Sequence, residues 1–192
     1  MMYEAKNFER LLGTDGFSDV LLRNHFTLYE GYVSNTNKIH EFLKPADVGT
    51  PPYSELKRRF GWEWNGMRLH ELYFGNMTKG GSDLDIKSLL AKKLEEDFGS
   101  VENWEKDFRA IGAMRGIGWA VLARDVETGK LFNVWINEHD GGHLAGTTII
   151  LVMDVFEHAF ALDYGIKRAD YISAFWNAID WSVASERFLA VK

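Results

Sequence analysis

The sequence predicts an α+β protein: an N-terminal antiparallel helical hairpin over residues 1–80, then over residues 81–192 an α/β lobe with a three-stranded antiparallel sheet. Three observations carry this reading. Two long stretches before residue 80 repeat apolar residues at steps of three and four. Gly80-Gly81-Ser82 marks a linker. Beyond residue 118, short apolar and β-branched runs replace the helical period.

The first helix is expected to begin at Ser18, a good N-cap residue, with Asp19 in its first turn. Leu21, His25, Leu28, Tyr32, Thr36, Ile39 and Leu43 then share one face. Pro45, Gly49, Pro51 and Pro52 interrupt the pattern, and Ser54 is expected to cap a second helix with Leu56, Phe60, Trp64, Met67, His70 and Phe74 on one stripe. A short connection between two such helices favours an antiparallel hairpin. The charged, leucine-containing stretch from Leu84 to Phe98 reads as a surface helix, and another helix is expected from Val101 to about Met114. Strands are expected at Trp119–Ala123, Leu131–Ile136 and Thr147–Met153, the first two joined through the turn signal Glu127-Thr-Gly-Lys130. After Asp154 the helical period returns through Tyr171, Phe175, Ile179 and Trp181.

Composition narrows the function. With 192 residues, 46% hydrophobic and 14% aromatic, the chain can bury one sizeable core. A formal charge of −6 with scattered Lys and Arg provides no phosphate-neutralising patch, which excludes nucleic acid as the expected partner. The absence of cysteine rules out thiolate sites, so any metal must be held by imidazole and carboxylate. The N-terminus carries no apolar signal region and no run approaches the roughly 18 apolar residues of a membrane span. A soluble, cytoplasmic protein without membrane contact is expected.

The six histidines are His25, His40, His70, His139, His143 and His158. A lone His on an apolar helix stripe is ordinarily a hydrogen-bonded core residue. Here His25 and His70 lie on the inward stripes of two helices expected to pack together, while Asp154 and His158 follow a buried strand. Three imidazoles and one carboxylate suit iron, manganese or zinc and leave room for a further ligand.

Asp154-Val-Phe-Glu-His158-Ala-Phe resembles the Asp-Val-Trp-Glu-His-Ala-Tyr signature of the iron/manganese superoxide dismutases. The likeness continues through Lys167-Arg168-Ala-Asp-Tyr171 to Trp181, and is joined by Gly116-Ile-Gly-Trp119, by Asn65 to Phe74, and by Tyr32-Val33 with Asn35 and Asn37. The resemblance implies one Fe or Mn ion per subunit, held by His25, His70, Asp154 and His158, and dismutation of superoxide to dioxygen and hydrogen peroxide. It also implies a role in gating and proton relay for Tyr32 and an apolar wall from Trp119 and Phe156. Arg168 would steer the anion, and Glu157 would reach the partner's third histidine across a homodimer, with a tetramer as the alternative assembly. Two other functions share the scaffold: a metal-binding module without chemistry, and a mononuclear Fe or Mn oxidase or peroxidase.

Four positions depart from the family pattern. The family's first ligand precedes the Tyr-Val pair by eight residues, which selects Asn24; His25 precedes Tyr32 by seven, two helical turns, and imidazole is a far better ligand than an amide. The manganese-type glutamine position aligns with His139, and the iron-type position falls on Gly66, which has no side-chain donor. His139, with His143 as competitor, therefore stands in for the group that hydrogen-bonds the metal's solvent ligand. Phe156 replaces the usual Trp and loses an indole donor. Leu28 or Tyr29 and Ala161 occupy the places of the family's intersubunit His–Tyr pair.

Overall fold

Ser18 caps the first long helix. Its hydroxyl accepts the Leu21 N–H at 3.0 Å, and α1 runs Asp19–Leu43 with Leu21, Leu22, His25, Phe26, Tyr29 and Val33 buried. The structure, a computed structural model, describes residues 2–190. The second helix, α2, spans Pro51–Gly75 and so begins earlier than expected. Pro51 and Pro52 do not break a helix here; they open it, because a first-turn residue needs no N–H and the proline φ is already helical. Ser54 accordingly lies inside the helix and is not its cap. The two helices run antiparallel, with His25 against Phe74 toward one end and Asn35 against Glu63 toward the other.

An extended N-terminal segment straps this hairpin. Tyr3 and Asn37 exchange two hydrogen bonds of 2.8 Å, and the Lys6 N–H donates to the Tyr29 hydroxyl at 2.9 Å.

Helix α3 is Leu89–Phe98, capped by Ser88, so residues 84–88 are not helical; α4 is Val101–Gly112, capped by Ser100. The three strands lie close to their expected positions: β1 Gly118–Asp125, β2 Leu131–Asn137 and β3 Thr147–Asp154, all antiparallel in the order β2-β1-β3. The central strand is a continuous apolar run because both its neighbours and the packed helices cover it; α4 packs on β1 and β2, and α2 and α7 (Trp181–Ala190) pack on β3. Register puts Trp119 opposite both Ile136 and Asp154. The strand can enter this pairing only at a glycine: Gly118 has φ 144° and a Cβ there would lie 2.0 Å from the Ile136 carbonyl oxygen.

After β3 come a 3₁₀ turn at Glu157–Ala159 and the helices α5 (Ala161–Tyr164) and α6 (Arg168–Asn177), followed by α7. The helical period read through Ile179 to Trp181 is in fact broken. Residues 178–180 hydrogen-bond instead to the segment leaving α2: Thr78 N–H to Ala178 O at 2.8 Å and Asp180 N–H to Asn76 O at 3.0 Å. Among the described residues no helix is long and apolar enough to cross a membrane.

Asn76, fully buried at the end of α2, ties that helix to β3. Its Oδ1 accepts the Val152 N–H at 3.0 Å and its Nδ2 donates to the Val152 carbonyl at 3.2 Å, while Arg187 Nη1 donates to the same Oδ1 at 3.2 Å. Asn76→Leu should leave a buried N–H unpaired and lower stability by about 2 kcal/mol, seen as a fall in Tm of roughly 5 °C in a thermal melt.

Candidate metal centre

Three elements converge on one buried point. His25 projects from α1, His70 from α2 and Asp154 from the last residue of β3, all buried; His158, on the 3₁₀ turn, keeps 26% of its side chain accessible. One potential ligand atom from each of the four lies within 4.8 Å of every other. Asp154 Oδ2 is the hub, at 3.2 Å from His25 Nε2, 3.1 Å from His158 Nε2 and 3.6 Å from His70 Nε2. Asn24 is exposed on α1 and is not one of the four.

The cluster fits a metal ion for a reason independent of residue type. The Nε2 atoms of His25 and His70 are buried without a hydrogen bond of acceptable geometry, a costly arrangement unless something else partners them. For His70 the tautomer is fixed: Nδ1 sits 2.6 Å from the Gly66 carbonyl, which can only accept, so the proton is on Nδ1 and the Nε2 lone pair points into the cluster. Burial pushes the His25 and His70 imidazoles down, favouring the neutral form that ligates. Burial opposes the Asp154 charge, but the neighbouring His158 and His25 outweigh it and hold the carboxyl well below the usual range. An orienting shell holds the carboxylate: Asp154 Oδ1 accepts the Phe156 N–H at 2.9 Å, and its backbone carbonyl accepts the Tyr171 hydroxyl at 2.5 Å, itself 3.1 Å from Tyr73 Oη.

His139 is fully buried beside this cluster. It leaves β2 on a tight turn in which Asn137 and Gly141 exchange backbone hydrogen bonds and Glu138 takes φ 52°, a left-handed value that turns the next side chain inward. Its Nδ1 lies 3.1 Å from Trp119 Nε1 and its Nε2 2.7 Å from Tyr32 Oη. An indole N–H can only donate, so Nδ1 must accept and Nε2 carries the proton. Burial pushes His139 down to about 4, which keeps it in this neutral form at ordinary pH. His143 is exposed, and its ring contacts the His139 carbonyl at 2.9 Å without reaching the cluster.

Tyr32 stacks on His70, with ring centroids 5.1 Å apart. Burial, then the charges of Asp154 and Glu63, raise its hydroxyl pKa, so it holds its proton. Phe156 lies between His139 and His158, stacked at 4.8 and 5.0 Å, and meets Trp119 at 6.2 Å. Gly66 gives Tyr32 its place, since a Cβ there would stand 2.5 Å from the tyrosine ring. Gly66→Ala should overpack this contact by about 1–3 kcal/mol and push Tyr32 off His139; a lowered Tm with lowered turnover in the metal-loaded variant is the expected result.

The remaining expected site residues lie further out. Glu157 is exposed next to His158. Arg168 makes no ion pair with Asp170 among the described residues; it donates to the carbonyls of Met114 at 2.6 Å and Gly116 at 2.8 Å and lies over the Phe160 ring. Tyr29, where the family's intersubunit histidine region falls, is turned into the core and donates to Glu71 at 3.1 Å. Sequence reasoning missed Glu63, a buried carboxylate on α2, and Trp62, whose ring meets His139 at 4.9 Å. Glu63 is two helical turns before His70 on the same face and was passed over as a charge, whereas Trp62 lies off that stripe and only the fold brings it to a residue 77 positions away.

The family model described as iron/manganese superoxide dismutases, C-terminal domain, matches residues 86–187. The chain is 37% identical to the superoxide dismutase [Fe] of Cupriavidus metallidurans, with 99% of this chain and 98% of that protein covered. It is 36% identical to the superoxide dismutase [Fe] of Aquifex pyrophilus, covering 96% and 90%, and 36% identical to superoxide dismutase [Mn] 2 of Haloferax volcanii, covering 88% and 85%. With matches of this length at both ends of the metal question, the chain belongs to the iron/manganese superoxide dismutase family.

Proposed function

We propose that His25, His70, Asp154 and His158 hold the single iron or manganese ion with which this superoxide dismutase works, and that Tyr32 and His139 are its proton-handling residues. The observation that carries the reading is the pair of buried, unpartnered Nε2 atoms facing one carboxylate oxygen. Overall, two superoxide anions and two protons become one dioxygen and one hydrogen peroxide. The ion supplies the one-electron couple between its divalent and trivalent states.

The protein's own residues manage protons and access. Because His139 donates from Nε2 to Tyr32 Oη, the tyrosine's own O–H is directed away from His139 and available to an incoming anion. The chain Trp119 to His139 to Tyr32 therefore has a single hydrogen-bond direction. Trp119, Phe156 and the Tyr32 ring wall the site with aromatic surface and limit it to a small substrate. Arg168, by holding the loop that enters β1, keeps a positive charge near an otherwise negative chain, which favours an anionic substrate.

A catalytic homodimer in the cytoplasm, with units at 1–80 and 81–192, completes the proposal. The exposed Glu157 beside the partly accessible His158 supports the dimer, since a carboxylate there can accept from a histidine N–H of a second copy. Superoxide decay measured on iron-loaded, manganese-loaded and metal-free protein from one preparation tests the reading. Decay faster than the spontaneous background is expected with at least one loaded form, and only the background with the metal-free form. Equal decay in all three would overturn it.

A further inference from the structure

We infer that Trp62, held by Arg59 and Glu63, is a positioning residue for His139, so that a brace on the first half of α2 sets the orientation of the group beside the metal centre. The inference rests on the role proposed above for His139. Trp62 meets the imidazole edge to face, with centroids 4.9 Å apart and planes at 77°. The His139 ring also meets Phe156 on its face, Tyr32 at Nε2, Trp119 at Nδ1 and, less closely, His70 with centroids 6.1 Å apart. Two hydrogen bonds fix where the two nitrogens point, and the rings of Phe156 and Trp62 fix the tilt of the plane; Trp62 is the closer of the two α2 rings that meet it, the other being His70.

Trp62 is only half-buried, and a half-buried indole needs something to hold its rotamer. Arg59 does so. Its guanidinium carbon lies 4.9 Å from the Trp62 ring centroid, and the guanidinium is itself pinned by two nitrogens on Glu63, Nε at 2.8 Å and Nη2 at 2.7 Å. Glu63 is 3% exposed, a position no free carboxylate would take, and its second oxygen accepts from Asn35 Nδ2 of α1 at 3.3 Å. The brace thus runs from α1 through Asn35, Glu63, Arg59 and Trp62 to His139. Lysine in place of Arg59 would keep the charge and lose the flat surface that stacks.

The test is a double-mutant cycle on the metal-loaded protein, read as the reduction potential and as the ratio of iron-loaded to manganese-loaded turnover. Trp62→Ala alone is expected to shift the potential in the same direction as His139→Ala, and to change the turnover ratio on the order of threefold, the scale of coupling between contacting residues. Trp62→Phe, which keeps an aromatic edge, should remain close to the parent. In the His139→Ala background Trp62→Ala should then have no further effect on the potential. An unchanged potential in Trp62→Ala, or an equal shift in both backgrounds, would overturn the inference. If Trp62→Ala does not fold, Arg59→Lys at its exposed position decides: a smaller shift in the same direction supports the brace, and none refutes it. A His139→Ala protein with unaltered potential would instead remove the role of His139 itself.

Discussion

Replacing His25 by alanine is expected to abolish metal retention and lower turnover by more than about a hundredfold, since loss of even an outer-shell partner of a ligand costs about 10–100-fold. The variant removes one of the two buried Nε2 atoms that have no other partner, and leaves His70, His158 and Asp154 as an incomplete set. Asn24→Ala is the paired control. Asn24 lies exposed on α1, so its loss should leave metal content at the parent level and stability within about 0.5 kcal/mol. Metal analysis of both purified variants by mass spectrometry checks the pair. Metal lost from Asn24→Ala and retained in His25→Ala would reverse the assignment.

The second large effect belongs to His139. His139→Ala strips the partner from the Trp119 indole N–H and from the Tyr32 hydroxyl at once, where Trp119 is fully buried. Turnover should fall by about 10–100-fold and the reduction potential of the loaded protein should move with it. His139→Gln offers a graded comparison. An amide has one acceptor and one donor end, so it can accept from Trp119 and donate to Tyr32, and it should recover part of the loss. Unchanged potential and turnover in His139→Ala would take the residue out of the mechanism; failure of glutamine to improve on alanine would show that the imidazole shape, not its hydrogen-bond direction, is what the site uses.

Much of this was legible in the sequence because the signals were local. Ser18 before Asp19, and the spacing of His25 within the apolar stripe of α1, depend only on helix geometry. The three strands were legible for the same reason: their apolar runs are bounded by turns, and β1 is buried along most of its length. Errors arose where a residue type has two uses. Pro51 and Pro52 read as helix breakers and are helix openers, because the same ring that cannot continue a helix suits its first turn. The break at residues 178–180 was invisible because it is imposed from 100 residues away, by the backbone leaving α2 at Asn76 and Thr78.

The site divides along the same line. Asp154 and His158 are four residues apart and readable as a motif, whereas the partners that make His139 a directed donor come from α1 and β1. A histidine in Asn-Glu-His-Asp-Gly-Gly looks like a surface loop residue by composition. What buries it is the left-handed backbone at Glu138 and the short bridge between Asn137 and Gly141, neither of which has a sequence signature strong enough to predict it. Gly66 is the counterpart: in the sequence it is a missing side chain, and in the fold it is the space Tyr32 occupies.

The most direct test of the central claim is anomalous X-ray scattering, at the iron or manganese edge, from crystals of the metal-loaded protein. The account predicts one peak per chain, bounded by His25 Nε2, His70 Nε2, His158 Nε2 and Asp154 Oδ2. A peak elsewhere, or one from which His25 is turned away, would contradict it.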